Sequence, residues 1–510
     1  MRKIRLTALA LSFGLGLFPV SADEGPFSPA LPPSGLPEAA EARASQYPFG
    51  FSLDLNYEYR LAPEGQFLIE PGKHKNGLDL MRDYLDRLPF AKVSFEYGGT
   101  EGLALALDWT FRAQWSGDYG KADNLPGSGE GEPLAIDNFF ISRGLLSYSR
   151  GDSFLALGRD KPAYDGILYG SLLPGRRLPY LDSLRARARM GSFAIDWMGA
   201  TIQALRNWEC AAYSDASYDV APNEGAAGAY YGFETDAEPT TIVEVLTRFS
   251  WERGSFIFGI TDHAMLARRN NRFYLTDFLP VSSRHQTAVA QTNNSMVLDL
   301  TFRPFEGLAI RGEAGFDDIS AEIFGVSDTS SPTIDAYVLG AEYRGGDASG
   351  AVDAALELGY TQYLWGNYDG TEIQPNDVNP FLRFQYRYLI DSGDAMLLPL
   401  TSPYGPGALW LSASGGYEFR GTGLRLGLEL FLLSKNEEAN LVSTEVLGNT
   451  STAGAPRFFF SSLSLPIRYR IGPWELGATP ALLVREGLFR PEATLSARCL
   501  LRTGSAKPAP

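Results

Sequence analysis

Acidic and aromatic side chains are concentrated between Glu209 and Glu238. This stretch holds seven acidic residues and no basic one. The aromatic residues interleaved with them are Tyr213, Tyr218, Tyr230, Tyr231 and Phe233. Aromatic rings beside carboxylates are suited to the faces and hydroxyl groups of sugars, although a solvated surface loop can have the same composition. The four tyrosines are therefore predicted to be glycan contacts on a loop.

Two adjacent carboxylates, Asp317 and Asp318, stand where a strand-like segment meets a long loop. Hard divalent cations prefer carboxylate oxygens, so the pair is a candidate for a cation or glycolipid site at an outer mouth. The alternative is a solvated loop start. The remaining metal-ligand types have no recognisable ligand spacing, and no metal site, disulfide or cofactor is predicted from them. They are His74, His263, His285, Cys210 and Cys499.

The loop tyrosines and carboxylates must be held in place by regular structure, and the sequence pattern indicates strands. Between Asn293 and Ile319 the chain alternates apolar and polar residues, with a turn at Pro304–Gly307. The apolar set is Met296, Leu298, Leu300, Phe302, Leu308 and Ile310. The polar set is Asp299, Thr301, Arg303, Arg311 and Glu313. A period of two predicts a hairpin with one apolar and one polar face.

Segments of the same kind recur from Phe49 onward. They are about 9–13 residues long, the length of a tilted strand that crosses a bilayer core. Short glycine-containing turns alternate with long polar loops. These loops are Ser116–Ile136, Asp160–Ser183, Asn207–Thr240, Ala264–Asn293 and Asp317–Thr333. The pattern predicts an all-β fold, a transmembrane antiparallel β-barrel of about 18 strands with short periplasmic turns and long extracellular loops.

One segment, Asp391–Gly407, disturbs this rhythm. The strand count requires a short turn there, and the sequence does not provide one. Either a further strand lies in this segment or the alternation of turns and loops breaks there.

A helix is also predicted over Gly77–Leu88, where apolar residues fall at helical spacing. It could lie inside the barrel, cap one end, or cover a little apolar surface in a loop.

The free-energy cost of placing a charge in lipid shows which face of each strand is directed to the membrane and which to the lumen. An arginine that faces lipid near the bilayer midplane costs about 2–4 kcal/mol, so the charged face is predicted to line the lumen. The predicted lumen-lining residues are Asp108, Arg112, Asp299, Arg303, Arg311, Glu313, Arg383, Arg387, Arg425 and Glu429. Both signs of charge are compatible with a salt-bridge lattice that fills the barrel or with a charged path for a polar solute.

The N-terminus has the features of a secretory signal. Basic residues precede an apolar run, Leu6–Phe18, and the small residues Val20-Ser21-Ala22 form a cleavage site. The predicted organisation is a signal peptide at residues 1–22, a Pro/Ala-rich periplasmic segment at 23–48, the outer-membrane barrel at 49–501 and a polar tail at 502–510. The formal net charge of −16 makes the chain a poor nucleic-acid binder.

Support for catalysis is weak. Asp262-His263, taken with the Asp317-Asp318 pair, is faintly similar to the outer-membrane aspartyl proteases of the omptin type, but those barrels are far smaller. No Ser-His or Cys-His arrangement of a nucleophile and its base stands out. The sequence therefore predicts that the protein is not an enzyme.

Several stretches resemble the Wzi-type capsule-assembly family. They begin with "LGRD" (Leu157–Asp160) and "LYGSLLPGRRLPYLDSLR" (Leu168–Arg185). The run "DFLPV" (Asp277–Val281) then precedes "NNSMVLDLTFRP" and "GLAIRGEAGFDDI", and "LLPLTSPYGPGA" (Leu397–Ala408) precedes a strand. Together they extend from Leu157 to about Glu418, roughly half of the chain.

The resemblance implies an 18-stranded barrel in the cell outer membrane with a lectin-like role, holding capsular polysaccharide to the surface. Its partners would be outer-membrane lipid, lipopolysaccharide-type glycolipid, surface polysaccharide and the barrel-assembly machinery, and not nucleic acid. The chain departs from the family in lacking an N-terminal helical bundle. Its last strand, Glu492–Leu501, also has no terminal aromatic residue. The alternative function is a porin for small polar solutes.

Overall fold

The structure is a computed structural model of the chain. It describes residues 49–62, 67, 69, 78–99, 102–114, 121–127, 136–137, 141–205, 240–269, 292–318, 333–366, 385–391, 394–437 and 456–503. The predicted signal peptide, the segment 23–48 and the predicted glycan contacts Tyr213, Tyr218, Tyr230 and Tyr231 lie outside these ranges.

Antiparallel strands make up almost all of the described regular structure. In chain order they are β1 (Phe49–Leu61), β2 (Ala91–Gly98), β3 (Leu103–Phe111), β4 (Ile141–Arg150), β5 (Ser153–Asp160), β6 (Leu181–Met190), β7 (Phe193–Leu205), β8 (Thr240–Arg253), β9 (Phe256–Arg269), β10 (Thr292–Phe305), β11 (Leu308–Asp318), β12 (Ile334–Gly346), β13 (Gly350–Thr361), β14 (Gln385–Asp391), β15 (Asp394–Pro399), β16 (Ala408–Phe419), β17 (Leu424–Asn436), β18 (Arg457–Ser464), β19 (Ile467–Ile471), β20 (Trp474–Arg485) and β21 (Leu488–Thr503).

The sheet closes on itself, because β1 pairs with β2 on one side and with β21 on the other. Strands β18 and β19 are two pieces of one wall strand, since both pair with β17 and with β20. The interruption falls at Leu465–Pro466, where proline has no N–H to donate to the ladder. Counted in this way the wall is a closed barrel of 18 antiparallel strands, which confirms the predicted fold class.

The two ends of the barrel differ. One end carries tight turns, such as those at Gly254 and Gly307, where φ is +60° and +86° and a side chain would strain the backbone. The residues where β1 begins and β21 ends, Phe49 and Thr503, lie at this end, which we call the short-turn rim. The opposite end carries the longer connections. By the usual arrangement of such barrels, the short-turn rim faces the periplasm.

The segment Asp391–Gly407, which disturbed the predicted rhythm, contains part of a hairpin that does not belong to the barrel wall. Strands β14 and β15 pair with each other in a separate two-stranded sheet, while β13 pairs directly with β16. A single long connection therefore joins β13 to β16 at the long-loop end, and the alternation of turns and loops is preserved.

The wall has an apolar outer face and a charged inner face. On β10, Leu300 is 46% exposed on the outside of the barrel, whereas its neighbour Asp299 is 1% exposed on the inside. Outward apolar residues continue on the other strands, for example Leu339 and Leu428. This is the pattern that lipid on one side and a polar lumen on the other require.

The predicted helix is much shorter than expected and lies inside the barrel. An α-helical turn at Leu78–Leu80 continues as a single π-helical turn at Met81–Leu85. Leu78, Met81 and Tyr84 are buried in the main hydrophobic core. No helix among the described residues is long and apolar enough to cross a membrane.

A closed barrel predicts resistance to detergent. We expect the protein in the outer-membrane fraction, with a β-rich circular dichroism spectrum and different gel mobility before and after boiling. The hydrogen bonds that close the wall between β1 and β21 explain why unfolding should need heat. A helical spectrum, or recovery in the soluble periplasmic fraction, would contradict this expectation.

Candidate functional site in the barrel lumen

The lumen contains a plug made of three segments, residues 78–90, 161–180 and 400–407. Leucines 168, 172 and 173 of the second segment are at most 1% exposed. They pack with Met81 of the first segment and Tyr404 of the third in one hydrophobic core. Inward-facing wall residues such as Met198 and Val338 complete this core. The connection between β5 and β6, predicted as a polar extracellular loop, thus starts at the long-loop end and folds into the barrel.

Two glutamates of the wall hold the plug by its backbone. Glu313 on β11 accepts hydrogen bonds from the backbone N–H of Leu172 at 2.8 Å and from the Ser171 hydroxyl at 2.9 Å. Glu357 on β13 accepts from the backbone N–H groups of Tyr169 and Gly170, the second at 2.8 Å. A buried carboxylate is stable when several donors surround it, so these contacts fix the plug to the wall.

Each glutamate also has a side-chain partner on the wall. Arg311 donates to Glu313 at 2.7 Å and to the Tyr164 carbonyl oxygen at 2.9 Å. The indole Nε1 of Trp410 on β16 donates to Glu357 at 2.7 Å. The wall and the plug therefore share one hydrogen-bond network around residues 169–172.

Wall glycines allow the plug to approach closely. A Cβ atom on Gly315 of β11 would lie 2.8 Å from Leu172 and 2.5 Å from Trp365. A Cβ on Gly340 of β12 would overlap Leu168. Real side chains do not tolerate such contacts, so both positions need the absence of a side chain.

A cavity of ≈ 1550 Å³ lies beside the plug. It reaches the short-turn rim at Gly254 and Gly307, and it reaches the opposite ends of β3 and β5 at Arg112 and Lys161. Basic and acidic side chains line it in equal number. The cavity therefore contains many charged groups but carries no excess of either charge.

Most of the described charges on the inner wall form ion pairs. Arg248 binds Asp299 through two hydrogen bonds of 2.9 and 2.8 Å. Similar pairs join neighbouring strands around the barrel. They are Asp54–Arg498, Asp108–Arg143, Asp160–Arg185 and Arg187–Asp196. The pair Asp353–Arg425 spans β16, from β13 to β17. Such pairing stabilises buried charges and lowers the field that a passing ion would feel.

The ten residues predicted to line the lumen have different locations. Those that line the cavity are Asp108, Arg112, Arg303, Arg311 and Glu429. Asp299 is buried between Arg248 and Arg311, and Glu313 is buried against the plug. Arg425 pairs with Asp353 at 2.6 Å.

The other two predicted residues, Arg383 and Arg387, were assigned to a wall strand. That assignment is wrong for Arg387, which belongs to β14 in the separate hairpin. A small antiparallel hairpin alternates in the same way as a wall strand, so the sequence pattern could not separate them. Arg383 and the side chain of Arg387 lie outside the described parts of the chain.

Of the predicted outer-mouth pair, Asp317 and Asp318, the structure describes the side chain of Asp317. The Asp317 carboxylate accepts a hydrogen bond from the backbone N–H of Gly366 at 2.9 Å, which fixes the connection that follows β13. The Asp318 side chain lies outside the described residues. Among the described residues there is no group of three side chains that could hold a metal ion.

The candidate pair Asp262-His263 is separated by the strand geometry. Successive side chains on β9 point to opposite faces, and His263 Nε2 lies 2.5 Å from Glu244 Oε1 with both side chains fully buried. The described thiol, Cys499, is free and buried.

Sequence reasoning missed the residues that hold the plug. Glu357 is a polar residue on an alternating strand, and nothing in its local sequence indicates its partners at 169–170. A signal was present in Leu172 and Leu173, two adjacent leucines inside a connection that was otherwise interpreted as polar. Apolar pairs in a supposed solvent loop indicate that the loop is buried.

Comparisons with known proteins support the fold. No family model and no curated protein matches the chain. Among solved structures, Wzi of Escherichia coli, an outer-membrane carbohydrate-binding β-barrel involved in Group 1 capsule assembly, has a TM-score of 0.50 at 10% identity, covering 89% of this chain and 84% of its own.

Two porins match more weakly. OccK1 (OpdK) of Pseudomonas aeruginosa has a TM-score of 0.41 at 11% identity, with 89% of this chain and 99% of its own covered. The BenF-like porin of Pseudomonas fluorescens Pf-5 has a TM-score of 0.41 at 10% identity with the same coverage. The chain folds as an outer-membrane β-barrel. At these identities the likeness concerns the fold alone.

Proposed function

We propose that this protein binds or anchors surface polysaccharide and helps to assemble the glycan layer of the cell, as a barrel of the Wzi type. The observation that carries the proposal is the plug, held to the wall by Glu313 and Glu357. A diffusion porin needs a continuous aqueous path with a constriction of suitable charge. Here apolar plug residues pack against the inner wall in one hydrophobic core, and the ion pairs leave little net charge for selection.

The sequence resemblance agrees with this proposal. Two of the stretches that resemble the capsule-assembly family, Leu168–Arg185 and Leu397–Ala408, supply a large part of the plug. Wzi itself is described as carbohydrate binding and involved in capsule assembly. The outer-membrane lipid, glycolipid and barrel-assembly partners expected from the sequence remain part of the proposal, as do the absence of catalysis and the outward position of Tyr213, Tyr218, Tyr230 and Tyr231.

Deleting Tyr213–Phe233 tests the outer glycan contact. We expect the barrel to assemble normally, because the strands on either side pair directly through β7 and β8. Retention of surface polysaccharide should fall, measured as the ratio of cell-bound to released polymer. A matched deletion in the connection between β17 and β18 provides the control. Equal retention in the two deletion strains would contradict the proposed role of these tyrosines.

Conductance measurements in planar bilayers distinguish the proposed polysaccharide-binding function from the porin alternative. The cavity, which reaches the short-turn rim and has a charged lining, favours a porin as the second candidate. The purified native protein should show little or no steady conductance, because the plug occupies the lumen. Large stable channels, together with unchanged polysaccharide retention after the deletion, would instead support the porin.

A further inference from the structure

The cavity has an aromatic ring on its inner surface. Tyr169 is 47% exposed, although Leu168 and Gly170 on either side of it are buried. Its ring lines the cavity, and its backbone N–H is bound by Glu357. Of the plug tyrosines that line the cavity, Tyr169 is thus the exposed one, and its backbone is held at a fixed position.

Charged groups of both signs surround this ring. The guanidinium group of Arg177 lies over it. Asp86 and Lys161 line the same cavity and are both exposed in it. Arg177 and Arg112, which attract the Asp86 carboxylate, line the cavity as well. We call Tyr169, Arg177, Asp86 and Lys161 the inner patch.

Arg177 has unused hydrogen-bonding capacity. Within the described part of the chain, neither of its terminal nitrogens has a hydrogen-bond acceptor. A charged donor without an acceptor is costly when it is removed from water. Both nitrogens are buried, so a ligand oxygen would satisfy them once the Arg177 side chain turns from the Tyr169 ring towards the cavity.

The chemistry of the cavity selects a class of ligand. Equal numbers of acidic and basic side chains give a small ion of either sign no net attraction. An exposed aromatic ring with carboxylate, ammonium and guanidinium groups around it offers a flat apolar surface and many hydrogen-bonding partners. Sugars present both kinds of surface. A volume of ≈ 1550 Å³ exceeds the usual 300–1,000 Å³ of sites for single small ligands, so the cavity has room for several sugar units.

We propose that the inner patch is a second saccharide site, which binds a neutral oligosaccharide segment that enters from the short-turn rim. It is separate from the outer glycan contact proposed above, since its residues belong to the plug and its neighbours and not to the stretch Tyr213–Phe233. On this proposal the barrel holds glycan from the periplasmic side as well as from outside.

Titration calorimetry on the full-length protein in detergent tests this site. The probes are neutral hexasaccharides of glucose, galactose and mannose, with a galacturonate hexamer for comparison. We expect at least one neutral hexasaccharide to bind, and Tyr169→Ala to weaken it at least about tenfold. The matched control is Tyr148→Ala, because Tyr148 is also 47% exposed but lies on the outer face of β4.

The outcomes distinguish this site from the proposed function. Binding that persists in the protein lacking Tyr213–Phe233, and is lost in Tyr169→Ala, supports an inner site whether or not the outer loop retains polysaccharide. Three results would overturn the proposal: no binding of any neutral hexasaccharide, equal binding in Tyr169→Ala and Tyr148→Ala, or a preference for the galacturonate hexamer. Heat-dependent gel mobility of each variant establishes that its barrel is intact.

Discussion

Replacing both Glu313 and Glu357 with alanine is expected to open the barrel to ions. Glu357→Ala removes the acceptor of three donors, the N–H groups of Tyr169 and Gly170 and the indole of Trp410. Each buried donor left without an acceptor costs about 1–3 kcal/mol. Glu313→Ala leaves Arg311 without its nearest partner and frees the backbone of Leu172. The plug should then leave its site for part of the time, and planar bilayers should record channels that the native protein lacks.

The control for this experiment is Glu429→Gln. Glu429 also lines the cavity, but it accepts a hydrogen bond from Ser464 on the neighbouring wall strand and not from the plug. We expect this variant to remain closed. If the double variant keeps its heat-dependent mobility, yet its conductance and the protease sensitivity of residues 161–180 match those of the native protein, then the two glutamates do not retain the plug.

Replacing Leu298 with arginine is expected to block assembly. Leu298 lies on the outer face of β10, on the same side as Leu300. A charge on this face meets lipid at a cost of about 2–4 kcal/mol near the midplane. The yield of heat-modifiable protein in the outer-membrane fraction should therefore fall sharply, and unfolded precursor should accumulate.

Thr301→Arg is the matched substitution on the opposite face. Thr301 lines the cavity, where water and carboxylates can solvate a guanidinium group. It should assemble at close to the native yield. A similar loss of assembly in both variants would show that the assignment of faces on β10 is incorrect.

The wall of the barrel could be predicted from local pattern. Side chains on a strand alternate with a period of two, and a shift of one residue would move every apolar group from lipid to lumen. The alternation of Leu300 with Asp299 and Thr301 therefore determines both the strand and its faces. Short turns and long connections in alternation then predicted the barrel class and its 18 strands.

The hairpin β14–β15 marks the limit of that reasoning. Its alternation looks like that of a wall strand, yet β13 pairs directly with β16, so the hairpin is not part of the barrel wall. Strand pairing is a long-range property, and the residues within a segment do not identify its neighbours. The predicted helix at 77–88 had a similar limit, since helical spacing revealed an apolar stripe but not that the stripe packs inside the lumen.

The sequence alone determined that the chain alternates apolar and polar side chains over strands long enough to cross a bilayer, because this depends on neighbouring residues. Whether the lumen is filled was decided by the tertiary structure. Gly170 and Glu357, which join the plug to the wall, are 187 residues apart in the chain. A carboxylate on a polar strand face has the same local sequence whether it meets water, an arginine or the backbone of a distant loop. Only the closed wall brings these groups together, and with them the plug, the cavity and the ring of Tyr169.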